Sequence, residues 1–198
     1  MTMTNRQRQA METKLRIQEK ALELFDKKGF ENVSMEQIAR AAGCSAGNIY
    51  NYFASKDLLA VKLMDHVDQI YDEMIPAYLE DRTRPARERL LEFFDTALEA
   101  SSREPLIWQC FIHSMKYPEQ EILAIKYERT FFHLLRQLVT EEQQSGSIDG
   151  SLAAEDIVRQ LTVIFRGALV QWRIDGEETD VRQYGRGLAE AYLNSLKA

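Results

Sequence analysis

The 198-residue chain predicts an all-α fold of about nine helices. Three observations carry that expectation. Apolar residues recur at helical spacing in segment after segment, and no stretch alternates apolar and polar residues for long enough to make a strand. All four prolines fall between 76 and 118, at the borders of periodic runs.

In the first segment Ile17, Ala21, Leu24 and Phe25 repeat at i, i+4, i+7 and i+8, a helix with one apolar face that Gly29 stops after Lys27 and Lys28. Ser34 and Gln37 fit a capping box that opens a two-turn helix with Met35, Ile38, Ala39 and Ala42 on its apolar face. Gly43 supplies a tight turn and Cys44 a small apolar plug. Ser45 caps a second short helix running to Phe53, and Ser55 caps a third that starts Lys56-Asp57-Leu58-Leu59. Pro76 ends or kinks that third helix, whereas Pro85, Pro105 and Pro118 read as first-turn prolines of the next ones. A long amphipathic run from Pro118 to Gln144 closes at Ser145-Gly146-Ser147. Two more helices, roughly 153–174 and 179–197, are parted by Asp175-Gly176.

The composition narrows the class. At 45% hydrophobic and 28% charged the chain has enough apolar residues for a core, which argues against disorder. No apolar run approaches a membrane span, and the start MTMTNRQRQAMETK has no signal-peptide apolar stretch. Cys44 and Cys110 make neither a disulfide framework nor a zinc motif, and no His, Cys or carboxylate set suggests a metal site. These points lead us to expect a soluble cytoplasmic protein without cofactors. The formal charge of −6 hides an asymmetry: residues 1–57 hold nine Lys/Arg against seven Asp/Glu, and the rest hold sixteen against twenty-four. A mildly basic module on an acidic body suits a polyanion binder with a regulatory part.

Residues 34–57, SMEQIARAAGCSAGNIYNYFASKD, are the informative stretch. Two short helices joined by a glycine-containing turn form the helix-turn-helix pattern, whose second helix enters the DNA major groove. Ala46 and Gly47 leave its start thin; Asn48 and Asn51 suit base edges; Ser34, Ser45, Tyr50 and Tyr52 carry hydroxyls for phosphates; Lys56 is placed as a backbone clamp. With Met35 these are the candidate DNA-contact residues. A capped helical hairpin with surface tyrosines is the competing reading of the same residues.

The stretch resembles the DNA-binding domain of the TetR family of bacterial transcriptional regulators. The resemblance covers about residues 21–59 and rests on Phe25, Gly29, Phe30, Ser34, Ile38, Ala39, Ala42, Gly43, Ser45, Gly47, Tyr50, Tyr52, Phe53, Lys56, Asp57 and Leu59 in that order. Ala46 departs from the pattern, which often has Lys there. The resemblance implies a homodimer with heads over 1–57 and ligand-binding bodies over 58–198. It further implies that a small-molecule effector in the body changes the head spacing and releases a double-stranded, palindromic DNA operator. It also implies that the last two helices form a four-helix bundle with the partner copy, and FRGALVQWRID resembles the corresponding helix of AcrR-type members.

Eight aromatics lie within residues 93–132, dense enough to line an apolar cavity or to make ordinary bundle core. Phe93, Trp108, Phe111, His113, Tyr127, Phe131 and Trp172 are the candidate effector contacts, with His113, Gln109 or Tyr127 as polar handles. Ile157, Leu161, Phe165, Leu169, Tyr184, Leu188 and Tyr192 are the candidate dimer contacts; internal core of a monomer is the alternative. A helical enzyme using His113 is a further reading, against which the chain shows no nucleophile–base spacing, phosphate loop or cofactor motif.

Overall fold

The computed structural model describes residues 4–63, 71–104 and 129–197, with Gln69, Trp108 and Met115. Among these residues there are eight α-helices and no strand. They are α1 (Asn5–Lys28), α2 (Met35–Ala41), α3 (Ala46–Ile49), α4 (Lys56–Lys62), α5 (Ala86–Arg103), α6 (Thr130–Gln144), α7 (Ala154–Ile174) and α8 (Arg182–Ser195). The all-α expectation holds. None of the described helices is long and apolar enough to cross a membrane. The described residues group into two compact units, 4–63 with Trp108 and Met115, and Gln69 with 71–104 and 129–197.

The first unit is built by local rules. A Thr4–Gln7 capping box starts α1, and Ile17, Ala21 and Phe25 form its buried line. Gly29, at φ 78°, ends the helix where an L side chain would be strained, and the Phe25 and Phe30 rings then meet at 4.9 Å. In the predicted Ser34–Gln37 capping box the Ser34 hydroxyl accepts from the Gln37 amide at 3.3 Å, while the Gln37 side chain accepts from the Ser34 amide at 2.9 Å. Gly43 turns the chain at φ 67° and the Cys44 amide closes onto the Ala39 carbonyl at 2.9 Å. Arg16 of α1 donates to the Ala42 carbonyl at 2.7 Å and so satisfies the open end of α2.

In the second unit, α8 packs on α7 and α5, and α6 on α5 and α7. Pro76, expected to end or kink a helix, opens a π-helical turn over Pro76–Glu80, and Pro85 stands at the N-cap of α5. Leu90, Phe93, Phe94, Ala97 and Leu98 are fully or almost fully buried on α5, and Leu134, Leu135, Leu138 and Val139 answer from α6. Gly185 is where α8 comes closest: a Cβ there would lie 2.6 Å from Leu98, 3.0 Å from Phe94 and 3.1 Å from Ala168. All three neighbours are buried and cannot swing into solvent. Gly185→Ala is therefore expected to lower the unfolding free energy by about 1–3 kcal/mol, read by urea denaturation. An unchanged midpoint would show that α8 can shift outward.

Charged side chains also enter this unit. Arg89, only 3% exposed, donates to the Tyr78 and Arg84 carbonyls and pairs with Glu141 of α6, while Arg87 pairs with the 2%-exposed Glu142. Arg186 of α8 pairs with Asp95 of α5.

Candidate nucleic-acid interface

The recognition segment begins as expected and ends differently. The Ser45 hydroxyl accepts from the Asn48 amide at 3.2 Å, so α3 starts where the sequence places it. Its α-helical part covers only Ala46–Ile49, short of the expected Phe53. Beyond it the chain tightens: the Asn51 and Tyr52 amides bond back three residues, to Asn48 and Ile49, at 3.1 and 3.0 Å. Ile49 and Phe53 are the buried anchors of this element. Ser45, Ala46, Gly47, Tyr50 and Asn51 are exposed, with Asn48 and Tyr52 half-buried. Gly47 has open space where a side chain would stand.

These exposed groups are partly organised before any ligand arrives. Asn51 Nδ2 donates to Asn48 Oδ1 at 3.2 Å, which leaves the Asn48 amide donors and the Asn51 carbonyl to offer to base edges. Tyr50 donates its hydroxyl to Glu36 of α2 at 3.3 Å, bracing the two helices on their outer side. The Glu36 carboxyl is held below its ordinary pKa by its own backbone amide, then by Ser34 and Tyr50. Tyr50 is pushed up, first by partial desolvation and then by the Glu36 charge.

Two candidates need correction. Met35 is 6% exposed and buried on the same side of α2 as Ile38 and Ala39, because the first helical position of α2 falls on its core-facing side. Lys56 is not a free clamp: its ammonium donates to the Phe30 carbonyl at 2.8 Å and sits 4.2 Å from the centre of the Phe30 ring. One of its three donors is thereby committed to holding α4 to the 3-10 turn Phe30–Asn32 that follows α1. Lys56 also lines a shallow open cleft of about 450 Å³ with Glu31, Asn32, Ser34 and Gln37. Glu36 is the residue that the sequence reading missed; its place in the first turn of α2 was visible, but its pairing with Tyr50 was not.

In the second unit, Phe93 and Phe131 lie at the centre of an aromatic cluster. Their rings are 5.6 Å apart, and Tyr71, Tyr78, Phe132 and Phe165 pack around them at 4.9–6.4 Å. Two hydroxyl pairs are set into it, Tyr71 with Ser101 at 2.8 Å and Tyr78 with Thr96 at 2.9 Å. Ser101 on the otherwise apolar face of Phe93 and Ala97 was the available sequence signal for the first of these. Trp172 is held elsewhere, its indole N–H donating to the Thr179 carbonyl at 2.7 Å. Trp108, 9% exposed, belongs to the first unit and not to this cluster, and Gln109, Phe111, His113 and Tyr127 lie outside the described residues. Among the described residues no three His, Cys, Asp or Glu side chains gather as metal ligands.

The dimer candidates divide. Ile157, Leu161, Phe165 and Leu169 are at most 5% exposed and face the chain's own core. Tyr184 and Tyr192 are half-buried and only Leu188 is exposed, at 60%. The outward line of α7 is instead Val163, Gly167, Val170 and Ile174, at i, i+4, i+7 and i+11, with Ile174 70% exposed.

A capped two-helix unit with a thin, exposed second element defines a helix-turn-helix DNA-binding protein. Residues 17–63 match the family model for bacterial regulatory proteins, tetR family. The chain is 23% identical over 182 residues to the HTH-type transcriptional repressor DhaR of Mycobacterium sp. (strain GP1), covering 90% of this chain and 91% of that one. Its fold matches Thermus thermophilus FadR, a TetR-family repressor in complex with lauroyl-CoA, at TM-score 0.68 and 20% identity over 91% and 92% of the two chains. It also matches a transcriptional regulator from Saccharomonospora viridis in complex with choline, at TM-score 0.62 and 20% identity over 92% and 96%. Residues 17–63 are thus a DNA-binding domain of the tetR regulatory type, and over most of its length the chain is similar to transcriptional regulators.

Proposed function

We propose that this protein is a cytoplasmic homodimeric repressor without catalytic activity. It holds a palindromic operator and releases it when a small, largely apolar ligand enters the C-terminal body. The head, over residues 1–57, presents Ala46, Gly47, Asn48 and Asn51 to base edges, and Ser34, Ser45, Tyr52, the spare donors of Lys56 and, once its hydroxyl turns from Glu36, Tyr50 to phosphates. The single observation that carries this reading is the exposed, pre-capped face of α3, which has polar groups and no apolar cover.

Residues 58–198 supply ligand response and dimerisation in this reading. The Phe93–Phe131 cluster, with hydroxyl pairs inside an aromatic surround, suits a ligand of mainly apolar surface with few polar atoms. Lauroyl-CoA bound by the Thermus thermophilus neighbour and choline bound by the Saccharomonospora viridis one are in keeping with a ligand-occupied body. Release follows from spacing. Two heads engage half-sites about 34–36 Å apart, so a ligand that prefers a differently spaced state removes one head from its groove. A ligand with equal affinity for both states would shift nothing.

Fluorescence anisotropy on DNA flanking the protein's own gene, over a salt series, tests the operator reading. Saturable binding that needs the palindrome and falls steeply with salt supports it; equal binding to scrambled DNA overturns it. A screen of acyl and aromatic compounds for release follows on the same complex.

The dimer seam in this proposal is the outward line Val163, Gly167, Val170 and Ile174 with Leu188, which replaces the core-facing residues. Val170→Glu with Leu188→Glu is expected to give monomers in sedimentation and to weaken operator binding by about a hundredfold or more, through lost avidity. A double variant that still sediments as a dimer would place the seam elsewhere.

A further inference from the structure

The first three turns of α1 lie outside the matched family domain, which begins at residue 17, and residues 4–12 are all exposed. They continue a helix whose second half is anchored in the head by Ile17, Ala21 and Phe25. The anchoring point is informative. Arg16 bonds to Ala42 and Lys14 lies 6.0 Å from the Phe53 ring, so the helix leaves the head beside the turn that launches α3. That end of a recognition helix is the one that meets base edges.

The side chains on this free segment are sorted. At about 100° per residue, the buried line of Ile17, Ala21 and Phe25 runs back through Lys14 and Ala10, with Arg6 and Gln7 on either side. The face that further along packs on the helix-turn-helix is here cationic, amide-bearing and small. The exposed apolar residues Met11 and Leu15 lie off that face, as does Arg8, which points roughly opposite. A protein partner would find no apolar centre on it, whereas a phosphate backbone would find charge, donors and room for close approach. Between Asn5 and Arg16 there are four basic residues against one acid, Glu12, and neither Arg6 nor Arg8 has an acidic partner among the described residues. The segment spans roughly 18 Å.

We propose that the free N-terminal half of α1 is a second DNA-contact element, which lays Arg6, Gln7 and Lys14 on duplex phosphates flanking the half-site read by α3. This rests on the operator reading above. The occupant is DNA backbone, so the element adds affinity and salt dependence without sequence preference.

The test uses the full-length protein and a flanking-gene duplex on which wild-type binding requires the palindrome; if no such duplex is found, it is the operator reading that fails. Arg6→Ala with Lys14→Ala keeps the helix, since alanine is the best helix former, and circular dichroism checks this. The double variant is expected to reduce the negative log–log salt slope by about 0.9 per lost phosphate contact, or roughly 3–4 for two heads. Arg8→Ala, on the far side, is expected to leave the slope within about 0.5 of wild type, less than one phosphate contact. Trimming the duplex to the outer edges of the half-sites is expected to remove the difference between wild type and double variant. An unchanged slope in the double variant overturns the proposal. So does an equal loss with Arg8→Ala, which would mean that overall charge and not this face is felt. A difference that survives on the trimmed duplex overturns it as well.

Discussion

Arg89→Ala is expected to lower the unfolding free energy by about 3–5 kcal/mol, a larger loss than that from Gly185→Ala. Arg89 is 3% exposed on α5, and three separate elements depend on its guanidinium. Its Nε–H reaches the Arg84 carbonyl at 3.1 Å before α5, another N–H reaches the Tyr78 carbonyl in the π-helical turn, and a third pairs with Glu141 near the end of α6. Alanine removes all of these donors and leaves two carbonyls and a carboxylate that is only 16% exposed. Glu141 keeps Arg82, but that partner is 60% exposed and its pairing is screened by water, so it offsets little of the loss. Urea denaturation followed by circular dichroism reads the effect. A midpoint shift worth less than about 1 kcal/mol would mean that water replaces the guanidinium and that the cluster is not effectively buried. The DNA head is a separate unit, so the variant should keep the head's own helices; a second unfolding transition at the wild-type position would show this.

Gly47→Leu is expected to weaken operator binding at least a hundredfold, about 2.7 kcal/mol, while the fold remains intact. Nothing stands within 4 Å of where its Cβ would be, and its backbone is not in the left-handed region, so a side chain enters open solvent. Replacing a helical glycine with leucine is neutral or slightly stabilising for the helix itself. The same side chain projects from the second residue of α3, where a groove floor or phosphate must come close to backbone amides. Stability and function are therefore expected to move apart: an unchanged melting temperature with lost anisotropy signal. Affinity within threefold of wild type would show that DNA approaches α3 from another side and would overturn the interface.

What was legible in the sequence was local. The Ser34–Gln37 box, the stops at Gly29 and Gly43, the caps Ser45 and Ser55 and the break at Asp175-Gly176 each act within three or four residues along the chain. A hydroxyl followed three residues later by the amide it accepts from is readable in sequence, because the helix itself brings them together. The same holds for the thin start of α3 and the polar groups after it, so the DNA-facing candidates were assembled from one short window. The end of α3 was less legible, since the choice between four- and three-residue hydrogen bonds after Ile49 depends on where Phe53 finds its buried place.

The rest was decided by which faces meet. The apolar positions of α7 run so far around the helix that periodicity could not tell a core side from an outer side; contact with α8, α6 and α5 takes up Leu161, Phe165 and Leu169 and leaves Val163, Val170 and Ile174 outward. Arg89 and Glu141 are 52 residues apart, and Lys56 lies 26 residues from the Phe30 carbonyl that occupies it. By itself, then, the sequence determined the all-α class, the Ser34–Gln37 and Ser45 caps and the place of the helix-turn-helix segment, because those follow from backbone hydrogen bonds closed over a single turn. Only the tertiary structure decided which charges are buried together, which aromatics share a core with Tyr71 and Tyr78, and which helix face remains for a partner. Those outcomes depend on side chains that are distant in sequence competing for the same buried space.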